Sequence, residues 1–337
     1  MRNMFKLMSE SLAAGEDLVL VTVIASSGST PRGSGARMLV GKKGRLAGTI
    51  GGGAVEYRSE QIAAEILENK RSGEHNFTLT KDDVENLGMI CGGAVDVFFL
   101  YIHAGDQETI SLANEVEKRF DQGRDIWLIS DLAGDGRLAI WSKAGGSFGF
   151  DIPETVLKSL SRQPARVKDD DIDMYAEQIG SSGKVYIFGC GHVGQALVPA
   201  LASVGFRCVA ADDRPEFADK TLFPDAEDVV LIDFEKIAEK IEIGPEDYVC
   251  IMTRGHSHDT IVQAQVLRTP ACYIGVIGSK YKIAGVQAEL RKQGFGEKDF
   301  ARITTPIGLA IKAETPAEIA ISICAQMIEV RATRSKA

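Results

Sequence analysis

Residues 184–197 read KVYIFGCGHVGQAL and place the motif Gly189-x-Gly191-x-x-Gly194 between a strand-like run and a helix-like run. Glycines at this spacing permit a tight turn and a close approach of the backbone to a pyrophosphate at the helix N-terminus. About 20 residues later, where dinucleotide-binding folds carry an acidic residue for a ribose hydroxyl, Asp212 is the better candidate and Asp213 the second. An aspartate there disfavours a 2′-phosphate. The motif predicts a dinucleotide-binding turn; the alternative is a glycine-rich turn that packs without a ligand.

The pattern that follows the motif predicts a parallel sheet. From residue 184 onward, short runs rich in Val and Ile alternate with helix-like segments, as in sheets that helices cover on both faces. Thr315, Pro316 and Glu318 then supply an N-cap, a first-turn proline and a capping-box carboxylate for a last helix. We therefore predict a Rossmann-like, doubly wound domain with a C-terminal helix over residues 173–337.

The first half of the chain predicts a different domain of mixed α/β structure. A strand at 17–25, a hairpin around 42–44 and a helix at 55–70 do not alternate strictly. We assign residues 1–172 to this domain, because the stretch 161–183 is polar, acidic and poor in large apolar residues, and we place the domain boundary within it. The alternative is a long surface loop within a single domain.

Composition excludes several classes of partner. The 337-residue chain has a formal net charge of −9 and 45% hydrophobic residues, so no basic field exists to hold nucleic acid or an anionic membrane. No stretch approaches the roughly 20 apolar residues of a membrane span. The six cysteines lack C-x-x-C pairing and zinc-ligand spacing, which is typical of free thiols in a reducing compartment. We expect a cytoplasmic protein.

Two glycine-rich loops of the first half are candidate anion sites. GSTPRGSGAR (28–37) contains Arg32 and Arg37, and GTIGGGAVE (48–56) joins a strand to a helix through Gly51, Gly52 and Gly53. Unpaired backbone N–H groups at the start of that helix could hold a phosphate or another oxyanion. The alternative is a tight structural turn, with Glu56 as a simple cap in the first helical turn.

The remaining candidates carry thiol and imidazole groups. Cys91 precedes two glycines in MICGGAVD and could bind a soft metal or carry sulfur, or be a buried structural thiol. Cys190 at a helix N-terminus could have a lowered pKa, or be a small filler beside a His192 that merely begins the helix. The segment MTRGHSHD (252–259) follows a predicted strand, so its two histidines should lie at the carboxyl edge of the sheet. They could contact an anion or a metal, or be loop residues before an Asp259 N-cap.

Taken together, these stretches resemble one family across nearly the whole chain. The matching motifs, in order, are STPRGSGARMLV, GTIGGGAVE, MICGG, FGCGHVGQAL, ADDRPEFA, TRGHSHD, YIGVIGSKYK and PIGLAIKAETPAEIAISICAQMI. They are similar to those of the XdhC/CoxI family, accessory proteins of molybdenum hydroxylases such as xanthine dehydrogenase. One departure is Arg254, since the family pattern has a histidine early in that loop.

The resemblance implies a non-catalytic role. Proteins of this family hold the molybdenum cofactor, a molybdopterin that a nucleotide can extend, while its sulfido ligand is installed, and they deliver it to the apoenzyme. The implied partners are a xanthine dehydrogenase-type hydroxylase and a cysteine desulfurase, and we expect a homodimer. Cys91 would be the metal contact. The residues predicted to contact the cofactor are Arg32, Gly51, Gly52, Gly53, Glu56, Cys91, Gly189, Gly191, Gly194, Asp212 and His256.

An alternative from the residues alone is an NAD(H)-dependent oxidoreductase. The glycine motif with Asp212 favours NAD, and His256 or His258 could exchange a proton near the nicotinamide. Against this function, the nucleotide-binding half is C-terminal and the first half shows no acid–base constellation. Binding of NADH with turnover would favour the oxidoreductase, and binding of molybdopterin would favour the carrier.

Overall fold

The computed structural model describes residues 1–28, 33–78, 93–180, 183–254, 256–278 and 280–334. The chain divides into two compact units, Met1–Ser181 and Ser182–Ala337. This division falls later than the predicted boundary after residue 172. Within the described residues, no helix combines the length and the apolar character needed to cross a membrane.

The first unit is built from two antiparallel sheets, each of five strands. Their orders are β3-β2-β1-β5-β4 and β8-β7-β6-β10-β9. The elements are α1 (Arg2–Ala13), β1 (Leu18–Gly28), β2 (Arg37–Gly41), β3 (Gly44–Thr49), α2 (Gly53–Asn69), β4 (Gly73–Thr78), β5 (Gly93–Ile102), α3 (Gln107–Asp121), β6 (Ile126–Asp131), β7 (Arg137–Ser142), β8 (Gly146–Phe148), α4 (Glu154–Ser159), β9 (Ala165–Lys168) and β10 (Asp173–Gly180).

One apolar core joins both sheets of this unit. Phe5 and Leu12 of α1 and Val116 of α3 are fully buried and pack with inward residues of both sheets, such as Leu20 of β1 and Ile140 of β7. The alternation of these strands places their other residues on the outer faces. On the outer face of the first sheet, α2 covers a second cluster that includes Val55 and Ala63.

The polar stretch 161–183, within which the sequence places a domain boundary, contains two strands of the second sheet. β9 pairs with β10, and β10 pairs with β6, so the stretch is part of the first unit. Asp169 accepts hydrogen bonds from the backbone N–H groups of Asp171 and Ile172, and the acidic run is therefore the turn of a hairpin. The division between the two units lies near the end of this stretch, because β10 carries buried residues such as Tyr175 and Ala176.

An ion pair links edge strands of the two sheets. The guanidinium of Arg166 on β9 donates two parallel hydrogen bonds, of 3.0 and 2.9 Å, to the carboxylate of Glu74 on β4. The same guanidinium contacts Asp173 on β10 at 2.7 Å. Bidentate geometry of this kind adds directional specificity to the charge attraction.

The second unit has the predicted Rossmann-like fold. Its six parallel strands follow the order β13-β12-β11-β14-β15-β16, which is the order of dinucleotide-binding sheets. The elements are β11 (Lys184–Phe188), α5 (His192–Ser203), β12 (Arg207–Asp212), β13 (Asp228–Leu231), β14 (Tyr248–Ile251), α6 (His256–Val266), β15 (Tyr273–Val276), α7 (Lys280–Lys292), α8 (Glu297–Phe300), β16 (Ile303–Thr304) and α9 (Pro316–Arg334).

The alternation of strands and helices is less regular than predicted. The connections from β12 to β13 and from β13 to β14 contain only the short 3₁₀ turns Lys220–Leu222 and Ile237–Glu239. Two apolar clusters nevertheless cover the sheet, one on each face. Since strand order reverses between β11 and β14, the crevice at their carboxyl ends is where such sheets bind ligands.

Candidate functional site

Two of the three motif glycines are required by the protein's own backbone. Gly189 follows β11 with φ of 114°, and a Cβ on it would meet the carbonyl oxygen of Met252. A Cβ on Gly194, in the first turn of α5, would meet the carbonyl oxygen of Gly189. A left-handed φ at the first position and close backbone contacts at both exclude side chains there.

Gly191 has no such internal reason to be glycine. It is the N-cap of α5 with φ of −72° and ψ of −170°, a conformation open to every residue. A Cβ placed on it would have no heavy atom within 4 Å. The space in front of the helix N-terminus is therefore open, and only a group from outside would approach this backbone closely. This is the geometry that a pyrophosphate requires at such a turn.

Asp212 lies beneath the glycine turn and is 1% exposed. One carboxylate oxygen accepts the backbone N–H of Cys190 at 2.8 Å and the Nη2 of Arg214 at 3.0 Å. The other accepts the backbone N–H and the Nε of Arg214, at 3.1 and 2.8 Å. Burial raises the pKa of Asp212, but the bonds from Arg214 and Cys190 outweigh it and lower the pKa.

These four donors occupy the acceptor positions of the carboxylate. A ribose hydroxyl could reach Asp212 only by displacing one of them. The contact between Asp212 and a ribose stays a prediction, and in this arrangement Asp212 is a clamp that ties β12 to the glycine turn.

Arg214 is a residue that the motif reasoning missed. Its guanidinium lies 3.7 Å from the centre of the Phe217 ring, and its side chain is 20% exposed. The hydrogen bond to Asp212, followed by the charges of Asp212, Asp213 and Glu216, raises the pKa of Arg214. The adjacent letters DDR were the available signal, since a basic residue two positions from a buried aspartate can neutralise it.

Cys190 is a structural thiol rather than a reactive one. It is fully buried, and burial together with the charge of Asp212 raises the pKa of its thiol to about 12. The idea that the helix N-terminus lowers this pKa is wrong because desolvation dominates. His192 is exposed at the first position of α5.

A second pair of polar groups lies at the same carboxyl edge of the sheet. The Nε2 of His258 on α6 is 3.9 Å from a carboxylate oxygen of Asp213, and its Nδ1 is 3.1 Å from the carbonyl oxygen of Arg254. The side chains of His258 and Asp213 are 31% and 32% exposed, so both are accessible to a ligand.

Asp259 does not cap α6 as predicted. It lies within the first turn of that helix, is fully buried, and accepts a hydrogen bond from the hydroxyl of Thr253. His256 begins α6, but its side chain lies outside the described part of the structure.

In the first unit, Glu56 closes the glycine loop from within. Its carboxylate accepts hydrogen bonds from the hydroxyl of Thr49, from Arg45, and from the backbone N–H groups of Ile50 and Gly52 at 3.0 and 3.2 Å. Burial raises the pKa of Glu56, but these bonds outweigh it and lower the pKa. The N–H of Gly52, a candidate for an external anion, is therefore already bonded to this carboxylate, and the N–H of Gly51 donates to the hydroxyl of Thr49 at 3.1 Å.

The glycines of this loop have a conformational role. Gly51, Gly52 and Gly53 have φ values of 127°, 76° and 64°, and residues with side chains rarely adopt this region. Of the other first-unit candidates, Arg32 and Cys91 lie outside the described residues. Among the residues that the structure describes, no three His, Cys, Asp or Glu side chains lie together as a metal site.

Comparison with known families matches both halves of the chain. Residues 11–80 match the XdhC and CoxI family, and residues 185–327 match the XdhC Rossmann domain. The second match contains the glycine turn, Asp212 and the Asp213–His258 pair.

Similar proteins extend the likeness over nearly the full length. A Bacillus subtilis protein described as a probable xanthine dehydrogenase component is 26% identical, with 98% of each chain covered. The molybdenum cofactor insertion chaperone PaoD of Escherichia coli is 20% identical over 98% of this chain and 88% of that protein. A crystal structure described as a xanthine dehydrogenase from Bacillus halodurans superposes with a TM-score of 0.78 at 26% identity, covering 98% of this chain and 96% of that one.

Proposed function

Because the chain belongs to the XdhC and CoxI family, we propose that it acts in the maturation of a molybdenum hydroxylase. It binds the molybdenum cofactor, holds it while the sulfido ligand is installed, and inserts it into a xanthine dehydrogenase-type apoenzyme. The similarity to the insertion chaperone PaoD supports this role. In this role the chain carries the cofactor, and the cofactor supplies the molybdenum centre of the hydroxylase.

The observation that carries the proposal is the open space at Gly191. Gly189 and Gly194 are explained by contacts within the protein, whereas nothing lies within 4 Å of a Cβ built on Gly191. A pyrophosphate, as in the nucleotide-extended cofactor, would use this space and the N–H groups that begin α5. The glycine turn therefore fits the nucleotide half of such a cofactor.

Other groups at this edge would bind the rest of the nucleotide. Asp213 and His258 are accessible, whereas the carboxylate of Asp212 already accepts four hydrogen bonds. We propose that Asp213 takes the ribose contact that the motif assigns to Asp212.

The remaining predicted contacts stay proposals. Arg32, Gly51, Gly52, Gly53, Glu56, Cys91 and His256 are assigned to the cofactor, with Cys91 at the molybdenum. A cysteine desulfurase as sulfur donor and a homodimeric state belong to the same proposal.

The test is anaerobic binding of nucleotide-extended molybdopterin to the purified chain and to its Gly191→Ala variant. We expect the wild-type chain to bind the cofactor and the variant to bind at least tenfold more weakly, because the added methyl group occupies the approach of the pyrophosphate. Molybdenum content and the fluorescence of the oxidised pterin measure the bound cofactor.

Gly285→Ala is the matched control. Gly285 also has open surroundings, but it lies on the exposed side of α7 in the same unit. Wild-type protein that binds no pterin, alongside a positive control that does, would contradict the proposal. Titration with NADH decides the alternative, since saturable binding with turnover of a substrate would favour an oxidoreductase.

A further inference from the structure

A buried ion pair connects the two sheets of the first unit at the base of the first glycine-rich loop. Arg37 is the first residue of β2, and its guanidinium bonds directly to the carboxylate of Glu177 on β10. The two side chains are 1% and 7% exposed. Within its own sheet Arg37 also pairs with Thr22 of β1 in the backbone register.

The loop residues before Arg37 pack directly on this pair. Gly35 has φ of 91°, and a Cβ on it would lie 2.6 Å from Glu177 Oε2 and 3.7 Å from the hydroxyl of Tyr175. The loop backbone also bonds to β1. The N–H of Gly35 donates to the carbonyl oxygen of Val23 at 2.9 Å, and the N–H of Val23 donates to the carbonyl oxygen of Ala36 at 2.8 Å. The loop is thus held between β1 and the Glu177 carboxylate.

The cluster is not arranged for maximal stability. The hydroxyl of Tyr175 and the Nε of Arg37 are buried without a hydrogen-bond partner among the described residues. Buried polar atoms left unpaired destabilise a fold, and a well-packed apolar pair is often as stable as a buried ion pair or more so. Stability alone therefore does not account for a charged pair at this place.

We infer that Arg37 and Glu177 are positioning residues, which fix the loop Gly33–Ala36 against the second sheet and so preset it for the cofactor. The inference rests on the proposed function, in which Arg32, the residue directly before this loop, contacts the cofactor. An apolar pair of similar volume could fill the same space, but it would remove the carboxylate against which Gly35 packs. Preorganisation of this kind lowers the ordering cost of binding.

The test separates positioning from stability with the double variant Arg37→Met, Glu177→Met. We expect its unfolding midpoint to equal or exceed that of the wild type. We also expect amide exchange of Gly35 to be at least tenfold faster in the ligand-free protein, and anaerobic cofactor binding to be at least tenfold weaker.

Glu115→Gln is the control, because it weakens the 3.0 Å pair that Glu115 makes with the buried Arg119, in another part of the same unit. It should change neither Gly35 exchange nor cofactor binding. If the double variant fails to fold, the Arg37→Lys variant is examined instead. It keeps the positive charge but loses the planar guanidinium, and we expect amide exchange of Gly35 at a rate between those of the wild type and of a chain without the pair.

Unchanged exchange at Gly35 in the folded double variant, or unchanged cofactor affinity despite faster exchange, would overturn the inference. Failure of the wild-type chain to bind any cofactor would instead overturn the proposed function. The exchange measurement needs no ligand, so it still decides whether the pair holds the loop.

Discussion

At the scale of single residues, the glycine motif contains positions with different physical origins. Gly189 and Gly194 are glycine because other backbone atoms of this chain lie too close for a side chain, whereas Gly191 faces open space. The sequence predicts the turn but does not distinguish these positions, because a glycine in the sequence does not show which atoms lie near it in the folded chain. Asp212 is a similar case. Its position after the glycine motif can be recognised in the sequence, but the four hydrogen-bond donors around its carboxylate come together only in the folded turn.

Alanine at two of the motif positions should separate stability from binding. Gly189→Ala combines a left-handed φ with a backbone collision and should destabilise the fold by at least about 2 kcal/mol. Gly191→Ala should change the free energy of unfolding by less than about 1 kcal/mol, since its φ is ordinary. Urea unfolding of both variants measures this, and equal losses of stability would contradict the assignment.

The thiol of Cys190 should not react in the folded protein. With a pKa raised to about 12 by burial and by Asp212, only roughly one thiol in ten thousand is ionised at pH 8. We expect alkylation by iodoacetamide at pH 8 to be at least about a hundredfold slower than for a free thiol, and to become fast in urea. Peptide mass spectrometry reads the site, and rapid labelling of Cys190 in native protein would refute the prediction.

At the scale of elements, periodicity predicts long segments better than short ones. The hairpin around residues 42–44, the helix that begins near residue 55 and the strands of the parallel sheet all appear. β9 and β10 were missed because no residue of β9 is fully buried and the buried run of β10 includes the charged Glu177. Helices were expected between β12 and β13 and between β13 and β14, but both connections contain only 3₁₀ turns. These turns have too few residues to show a helical period in the sequence.

Glu56 should make the start of α2 sensitive to acid. Its pKa is lower in the folded chain than the value near 4.3 of an unfolded glutamate, so its contribution is complete above that value and is lost as the pH falls through the folded pKa. Glu56→Ala should cost about 2 kcal/mol at pH 7 and clearly less at pH 3.

Unfolding in urea at both pH values measures this difference. Glu68→Ala, at an exposed position of the same helix, is the control and should have little effect at either pH. A penalty for Glu56→Ala that is equal at pH 7 and pH 3 would contradict the role of the ionised carboxylate.

At the scale of the whole molecule, the chain is two units with unlike sheets. The first joins two antiparallel sheets through one core, and the second has a parallel sheet in Rossmann order. The sequence predicted both classes, but not the place of the division, because the polar stretch before it belongs to a strand pair.

Residues 182–337 should fold when expressed alone. They contain a complete six-stranded sheet with an apolar cluster on each face, as an independent domain requires. We expect a cooperative thermal transition by circular dichroism. A fragment that begins at residue 173, the predicted boundary, should gain no stability, since β10 pairs only with strands of the first unit. An unfolded 182–337 fragment would show that the units depend on each other.

The ion pair between Arg166 and Glu74 has a consequence for association. Two open five-stranded sheets present four edge strands, and free edges are templates on which other chains add strands and aggregate. β8 and β9 are only three and four residues long, and Arg166 clasps β9 to β4. We expect these short edges, and the Arg166–Glu74 pair between two of them, to hinder polymerisation of concentrated copies of this chain through their sheets.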